Sequence, residues 1–305
     1  MATRERPGLG IALMVGFAVL APGMDSFAKL IGDTIAVAQV ATLRFVMQAA
    51  LLLPLAAAMG WLHWPGRAET ALHLVRAALM LVATALFFQA LQVLPIADAL
   101  AIFFIEPFIL TLLGGLILRE PIGPRRYVAC TVGFAGALLI IQPSFAAFGP
   151  VAMLPLGTAL LFAFYMILTR RMATQMHPIT LQTYTGLAAA CLGVPVLLAF
   201  DGSGIAALDP AWPDSQAIWL LLGMGICATL SHICLSFALS FAPASLLAPI
   251  QYLEIVSATV LGLVIFGDFP NALSLIGIAL IIASGLYVFV RERQLRLKRR
   301  PLPAP

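Results

Sequence analysis

Long apolar segments recur along almost the whole chain, and they constrain its fold more than any other feature. A transmembrane helix needs about 20 predominantly apolar residues. Ten segments of this kind cover residues 9–31, 36–58, 70–92, 97–118, 126–142, 149–170, 179–199, 216–240, 245–266 and 272–290. Each is continuously apolar, whereas strands of a membrane barrel alternate apolar and polar residues over about ten positions. The pattern therefore predicts an all-α integral membrane protein with ten transmembrane helices.

The charge content agrees with a bilayer environment. Only 10% of the 305 residues are charged, whereas soluble domains carry about 25%, so the chain lacks the charges to cover a water-facing surface. The basic residues are spread over short loops and a tail, which argues against a nucleic-acid partner. The four cysteines lie inside apolar segments and lack metal-ligand spacing. We expect no metal and no cofactor.

The distribution of Lys and Arg predicts the orientation. If the N-terminus is cytoplasmic, all 17 Lys and Arg residues except Lys29 and Arg44 lie at the cytoplasmic face, as the positive-inside rule requires. Arg76, near the start of the third segment, counts among these cytoplasmic charges. The prediction places a short N-terminus (1–8) and a basic tail (291–305) in the cytoplasm of a bacterial-type inner (plasma) membrane.

The sequence repeats itself at an offset of 148 residues. The offset aligns residues in segments 3–4 with residues in segments 8–9: Ala90 with Ala238, Pro95 with Pro243, Ile102 with Ile250, Glu106 with Glu254, Gly114 with Gly262 and Glu120 with Asp268. The two repeats, 9–142 and 149–290, each hold five predicted helices. Because five is odd, the second repeat must be inverted, which places a shared site near the midplane on the axis between the repeats.

Two carboxylates occupy equivalent positions in the repeats at membrane depth. Glu106 and Glu254 each lie about nine residues into a segment, or roughly 13–15 Å below the surface at 1.5 Å per residue. Ionisable groups at that depth face the protein interior or a water-filled cavity. His232 is predicted at the depth of Glu254 on the adjacent helix. We expect these two side chains to interact, either as a protonation-sensitive part of a substrate site or as a static contact between helices.

Three more charged residues lie in the outer halves of the first two segments. Asp25 and Lys29 share a helix face because they are four residues apart, and Arg44 lies at a depth similar to that of Asp25. An ion pair that holds the hairpin together and a role in binding or gating are both open. Gln89, Gln251 and Tyr252, with neighbouring aromatic residues, suit an organic solute with a flat or apolar part.

Three motifs resemble those of the drug/metabolite transporter superfamily, and specifically its ten-helix EamA-type members. They are Met24-Asp25-Ser26-Phe27-Ala28-Lys29-Leu30 followed by Leu43-Arg44-Phe45; Ile105-Glu106-Pro107-Phe108 leading to Leu118-Arg119-Glu120-Pro121; and Leu253-Glu254-Ile255 leading to Phe266-Gly267-Asp268. The likeness spans about residues 9–290. Ile255 stands where the family often has proline, which predicts a straighter ninth helix than the fourth.

The resemblance implies a secondary transporter of a small organic metabolite. The first motif is more similar to uptake-type members, such as riboflavin or S-adenosylmethionine transporters, than to exporters of amino acids or other metabolites, which are the alternative. An integral-membrane enzyme is a remote alternative, because the acidic residues are scattered and the four histidines isolated. A channel or structural subunit is equally remote. The sequence leaves the oligomeric state open.

Overall fold

The computed structural model describes residues 6–117, 124–172, 176–242, 247 and 250–298, and this part of the chain contains helices and no strands. The α-helices are α1 (Pro7–Ile31), α2 (Val37–Ala58), α3 (Arg67–Leu91), α4 (Ile96–Phe103), α5 (Glu106–Ile117), α6 (Pro124–Phe148), α7 (Leu154–Met172), α8 (Pro178–Ala199), α9 (Ser215–Phe241), α10 (Leu253–Leu261) and α11 (Ala272–Lys298). Helices predominate because a lipid environment requires each segment to satisfy its own backbone hydrogen bonds.

Side chains outside the apolar segments cap several helix ends. Asp214 Oδ1 accepts a hydrogen bond from Ala217 N at 2.7 Å at the start of α9, and Asn271 Oδ1 accepts one from Ser274 N at 2.9 Å at the start of α11. Burial lowers the pKa of His177, which keeps its ring neutral, and Nδ1 accepts from Ile179 N at 3.3 Å at the start of α8. These caps satisfy backbone donors that the helix itself leaves unpaired.

Six helical stretches of the described chain are long and apolar enough to cross a membrane. The predicted fourth segment is divided in the structure into two helices, α4 and α5, with an interruption at Phe104 and Ile105. Pro107, in the first turn of α5, lacks the N–H that a continuous helix would need. The ninth segment is also interrupted, at Tyr252, and ends in a π-helix over Gly262–Phe266. The absence of proline at position 255 therefore does not make the ninth segment a continuous helix.

Antiparallel helix pairs join the two halves of the chain. Helix α1 packs along α9, with Gly10 beside Ala242 and Phe27 beside Gly223. Helix α3 packs along α7 in the same sense, with Arg76 beside Thr169 near one end. Since α1 and α3 belong to the first repeat and α7 and α9 to the second, the pairs are counterparts of each other.

Equivalent helices of the two repeats also pack antiparallel to each other. Thr42 of α2 contacts Gly193 of α8, and further along α2, Gln48 Nε2 donates to Gln182 O at 2.9 Å. The equivalent helices α6 and α11 also contact each other, as do α4 and α10. Equivalent helices that meet across a two-fold axis are antiparallel only if the axis runs across them, so this packing supports inverted repeats.

Candidate functional site

The centre of the bundle holds a buried arginine that bridges the two repeats. Arg44 of α2 is 2% exposed. Its Nη1 donates to Thr84 Oγ1 of α3 at 2.7 Å, and its Nη2 bonds His232 Nε2 of α9. A guanidinium has donors only, so His232 accepts through Nε2 and its ring is neutral in this arrangement. Arg44 therefore ties together α2, α3 and α9.

The two partners of Arg44 occupy equivalent positions in the repeats. Thr84 and His232 are separated by the same 148 residues that relate Glu106 to Glu254. One guanidinium thus binds the same site on both α3 and α9, which places it close to the axis between the repeats. His232 was predicted as a site residue but Thr84 was not, because an uncharged threonine gives no signal of its own in an apolar segment. Applying the 148-residue offset to His232 would have found it.

Two carboxyl groups lie beside this bridge. Asp25 of α1 and Glu254 of α10 are 3% and 5% exposed. Arg44 acts electrostatically on Asp25, and Asp25 acts on Glu254. His232 was predicted to meet Glu254, but the structure pairs it with Arg44 instead. The centre therefore combines two carboxyl groups, a guanidinium and a neutral imidazole, contributed by α1, α10, α2 and α9.

Glu106 lies at the equivalent interruption in the first repeat. It is the first residue of α5 and is buried, with no hydrogen-bond partner for Oε1. Tyr252 is close enough to interact electrostatically with Glu106. The rings of Tyr252 and Phe104, which are also separated by 148 residues, contact each other with centroids 5.3 Å apart. The interruptions of the two repeats therefore meet inside the bundle.

A series of aromatic rings connects this meeting point to a second buried arginine. The centroid distances are 6.0 Å for Phe104–Phe103, 5.3 Å for Phe103–Phe162 and 5.5 Å for Phe162–Tyr165. Arg76 lies at the far end, with Nη2 donating to Tyr165 Oη at 3.0 Å. Arg76 was counted among the charges near the cytoplasmic face, and the structure shows that its side chain is fully buried between α3 and α7.

A polar clip, formed by Lys29 and Asp268, lies toward the predicted outer end. Lys29 Nζ bonds Asp268 Oδ2 at 2.8 Å and also donates to Leu94 O at 2.9 Å. It therefore joins α1 to the end of α3 and to the loop before α11. From the sequence, an Asp25–Arg44 ion pair within the first hairpin was one of two open interpretations. Within the described chain, the ion pair of this region is the clip between the repeats.

We expect the clip to stabilise the protein by about 1 kcal/mol, the upper range for accessible ion pairs, because Asp268 remains 33% exposed. Lys29→Met and Asp268→Asn should each lower the melting temperature in detergent. A double variant, Lys29→Asp with Asp268→Lys, should recover part of the loss. If each single substitution lowers the melting temperature and the exchange lowers it by the sum of both, the ion pair is not the cause.

Two further predicted site residues lie outside the Arg44 bridge. Gln89 Nε2 donates to Gln92 Oε1 at 2.7 Å near the end of α3. Gln251 is half-buried next to Tyr252, just before α10. The structure thus brings Asp25, Arg44, His232 and Glu254 together, places Glu106 with Tyr252, and pairs Lys29 with Asp268 and Gln89 with Gln92.

Comparison with known proteins relates this chain to membrane transporters. The model of the EamA-like transporter family matches residues 8–142 and again 149–290. A riboflavin transporter of Vibrio cholerae is 27% identical over 265 residues, covering 86% of this chain and 85% of the relative. A riboflavin transporter of Rhizobium johnstonii is 29% identical, covering 78% and 74% of the two chains.

Other relatives are named as transporters of a different substrate. The S-adenosylmethionine uptake transporter of Rickettsia prowazekii is 24% identical, covering 88% of both chains. One solved crystal structure matches with a TM-score of 0.64 over 94% of this chain and 97% of the other, at 18% identity. At that identity, the structural likeness supports the fold alone.

Proposed function

We propose that this chain, which belongs to the EamA-like transporter family, is an alternating-access carrier whose substrate site is the cluster of Asp25, Arg44, His232 and Glu254. The family and the relatives' names make the chain a multi-pass membrane transporter of metabolites. The observation that carries the site proposal is the Arg44 bridge, which joins equivalent positions of the two repeats. A site on such an axis opens to either side when the repeats exchange conformations.

The proposed topology has ten transmembrane helices with both termini in the cytoplasm of the inner membrane. Two repeats, 9–142 and 149–290, each contribute five. The stretch Tyr127–Thr169, which covers most of α6 and α7, has 43 residues, about twice what one crossing needs. Helices α4 and α5 together make the fourth crossing, and the segment around α10 makes the ninth. The antiparallel packing of α2 with α8 supports the inversion.

The proposed substrate is a flat aromatic metabolite with polar groups, of the riboflavin or S-adenosylmethionine type. The series of rings from Tyr252 to Tyr165 offers stacking surface, and Asp25, Arg44 and His232 offer polar contacts. Glu106, Glu254, Gln251 and Gln89 complete the proposed binding or coupling residues, and Lys29 closes the outer end. Export of amino acids or other metabolites is the second candidate.

Counterflow in proteoliposomes tests the proposal. Vesicles preloaded with unlabelled riboflavin or S-adenosylmethionine should take up the same labelled compound faster than empty vesicles, and uptake should saturate. An amino-acid panel run in the same way tests the export alternative. Flux that rises linearly with concentration and is unaffected by the internal solute would contradict carrier function.

A further inference from the structure

Asp25 and Arg44 are opposite charges that approach each other without forming an ion pair. They interact electrostatically, yet in the described chain no contact within 4.0 Å joins the carboxylate to the guanidinium. Both side chains are almost completely buried. An opposite pair at such depth is most stable in direct contact, so its separation requires an explanation.

Each of the two groups also has one polar atom without a partner. Asp25 Oδ1 and Arg44 Nε make no hydrogen bond, although the other nitrogens of Arg44 bond Thr84 and His232. A buried charged group left with an unmade hydrogen bond is costly. One acceptor and one donor are therefore available on neighbouring charged groups at the centre of the bundle.

Asp25 Oδ1 and Arg44 Nε are both closed off from open space in this conformation. We propose that the gap between Asp25 and Arg44 opens during the transport cycle to bind the polar edge of the substrate, and that this edge carries a hydrogen-bond donor beside an acceptor. The donor bonds Asp25 Oδ1, and the acceptor bonds Arg44 Nε. This inference rests on the proposed function and specifies which chemical group the substrate site recognises. Two common groups have it: the imide edge of a flavin ring, and the ammonium and carboxylate of an amino-acid moiety.

The charges around the gap favour such an edge over a simple ion. A cation bound to Asp25 would meet the guanidinium of Arg44, and an anion bound to Arg44 would meet Asp25 and the nearby Glu254. A group with both functions satisfies both residues and adds no net charge. Tyr165, at the end of the series of rings, also lies within electrostatic reach of Arg44, so a flat ring that carries this edge has aromatic surface close by.

The test compares two pairs of compounds for binding to the purified full-length protein in detergent. Riboflavin is compared with 3-methylriboflavin, which lacks the imide donor, and S-adenosylmethionine with its decarboxylated form, which lacks the carboxylate. In the pair that matches the substrate, the parent compound should bind about 10- to 100-fold more tightly, the range for one hydrogen bond to a charged group.

Substitutions of Asp25 and Arg44, each with a matched control, test whether these residues cause the preference for the parent compound. If the flavin pair responds, Asp25→Asn should reduce the preference by about 3- to 10-fold, since a neutral hydrogen bond is roughly half as strong as a charge-assisted one. Asp98→Asn should leave the preference unchanged. Asp98 is 4% exposed and also has an unpartnered oxygen, but it lies near Lys29 and Asp268. If S-adenosylmethionine is preferred over its decarboxylated form, Arg44→Lys should reduce that preference, and Arg76→Lys should leave it unchanged.

Three results would overturn the inference. The wild type binds neither parent compound, or it fails to prefer the parent in both pairs, or the control variants change the preference as much as the gap variants. The first two need no variant, so they hold even if Asp25→Asn fails to fold. None of them defeats the transporter itself, which fails only if counterflow is absent for every solute in the panel.

Discussion

Arg44→Ala is expected to abolish transport and to lower the free energy of unfolding by about 3–5 kcal/mol, the range for removing one member of a buried charged network. The substitution deprives Thr84 and His232 of their shared donor and leaves Asp25 buried without the cation that faces it. It also removes the bridge between equivalent positions of the two repeats. Counterflow in proteoliposomes and thermal unfolding in detergent measure the two effects.

Two further variants make the Arg44 result specific. Arg44→Lys keeps the positive charge but loses the planar set of donors, so we expect it to recover part of the stability and little of the transport. Arg67→Ala removes an arginine that is exposed at the start of α3 and should leave both properties unchanged. Wild-type counterflow by Arg44→Ala would remove this residue from the substrate site.

Gly277→Ala is expected to destabilise the protein by about 1–3 kcal/mol, the typical range for overpacking an interior contact. Gly277 of α11 faces Gly136 of α6, and an added Cβ would lie 2.5 Å from Gly136 O. Small residues allow such close approach of helices in membranes. Because the obstacle is backbone rather than a mobile side chain, the helices themselves must separate.

Gly16→Ala is the matched control for this contact. Gly16 lies inside α1 on the face toward α9, and a Cβ there would meet Cys234 Sγ at 3.6 Å, an ordinary contact distance. We therefore expect a melting temperature equal to or slightly above that of the wild type, because alanine favours a helix more than glycine does. Equal melting temperatures for Gly277→Ala and the wild type would mean that α6 and α11 do not pack as described.

The repeat made part of the site predictable. The 148-residue offset identified Glu106 and Glu254, and both lie at interruptions that meet inside the bundle. Counting residues along a helix gives depth in the membrane but not the direction in which a side chain points around the helix axis. His232 was therefore placed at a suitable depth but was paired with Glu254 rather than with Arg44.

Other features had no simple signal in the sequence. Arg76 satisfies the positive-inside rule by its position, but that rule does not reveal that Tyr165 and Thr169 bind it inside the bundle. The ninth segment is interrupted at Tyr252, which is not a helix-breaking residue type, and the ring of Tyr252 packs against Phe104 of the other repeat. Contacts between distant segments of this kind cannot be read from the local sequence.

Access to position 84 from each side of the membrane tests the central claim most directly. Thr84→Cys, in a protein whose four native cysteines are replaced, puts a thiol beside Arg44. We predict that a membrane-impermeant maleimide labels it from outside in intact cells and from inside in inverted vesicles, and that transported substrate slows both reactions. Labelling from one side only, at a rate that substrate does not change, would contradict a site that opens alternately between inverted repeats.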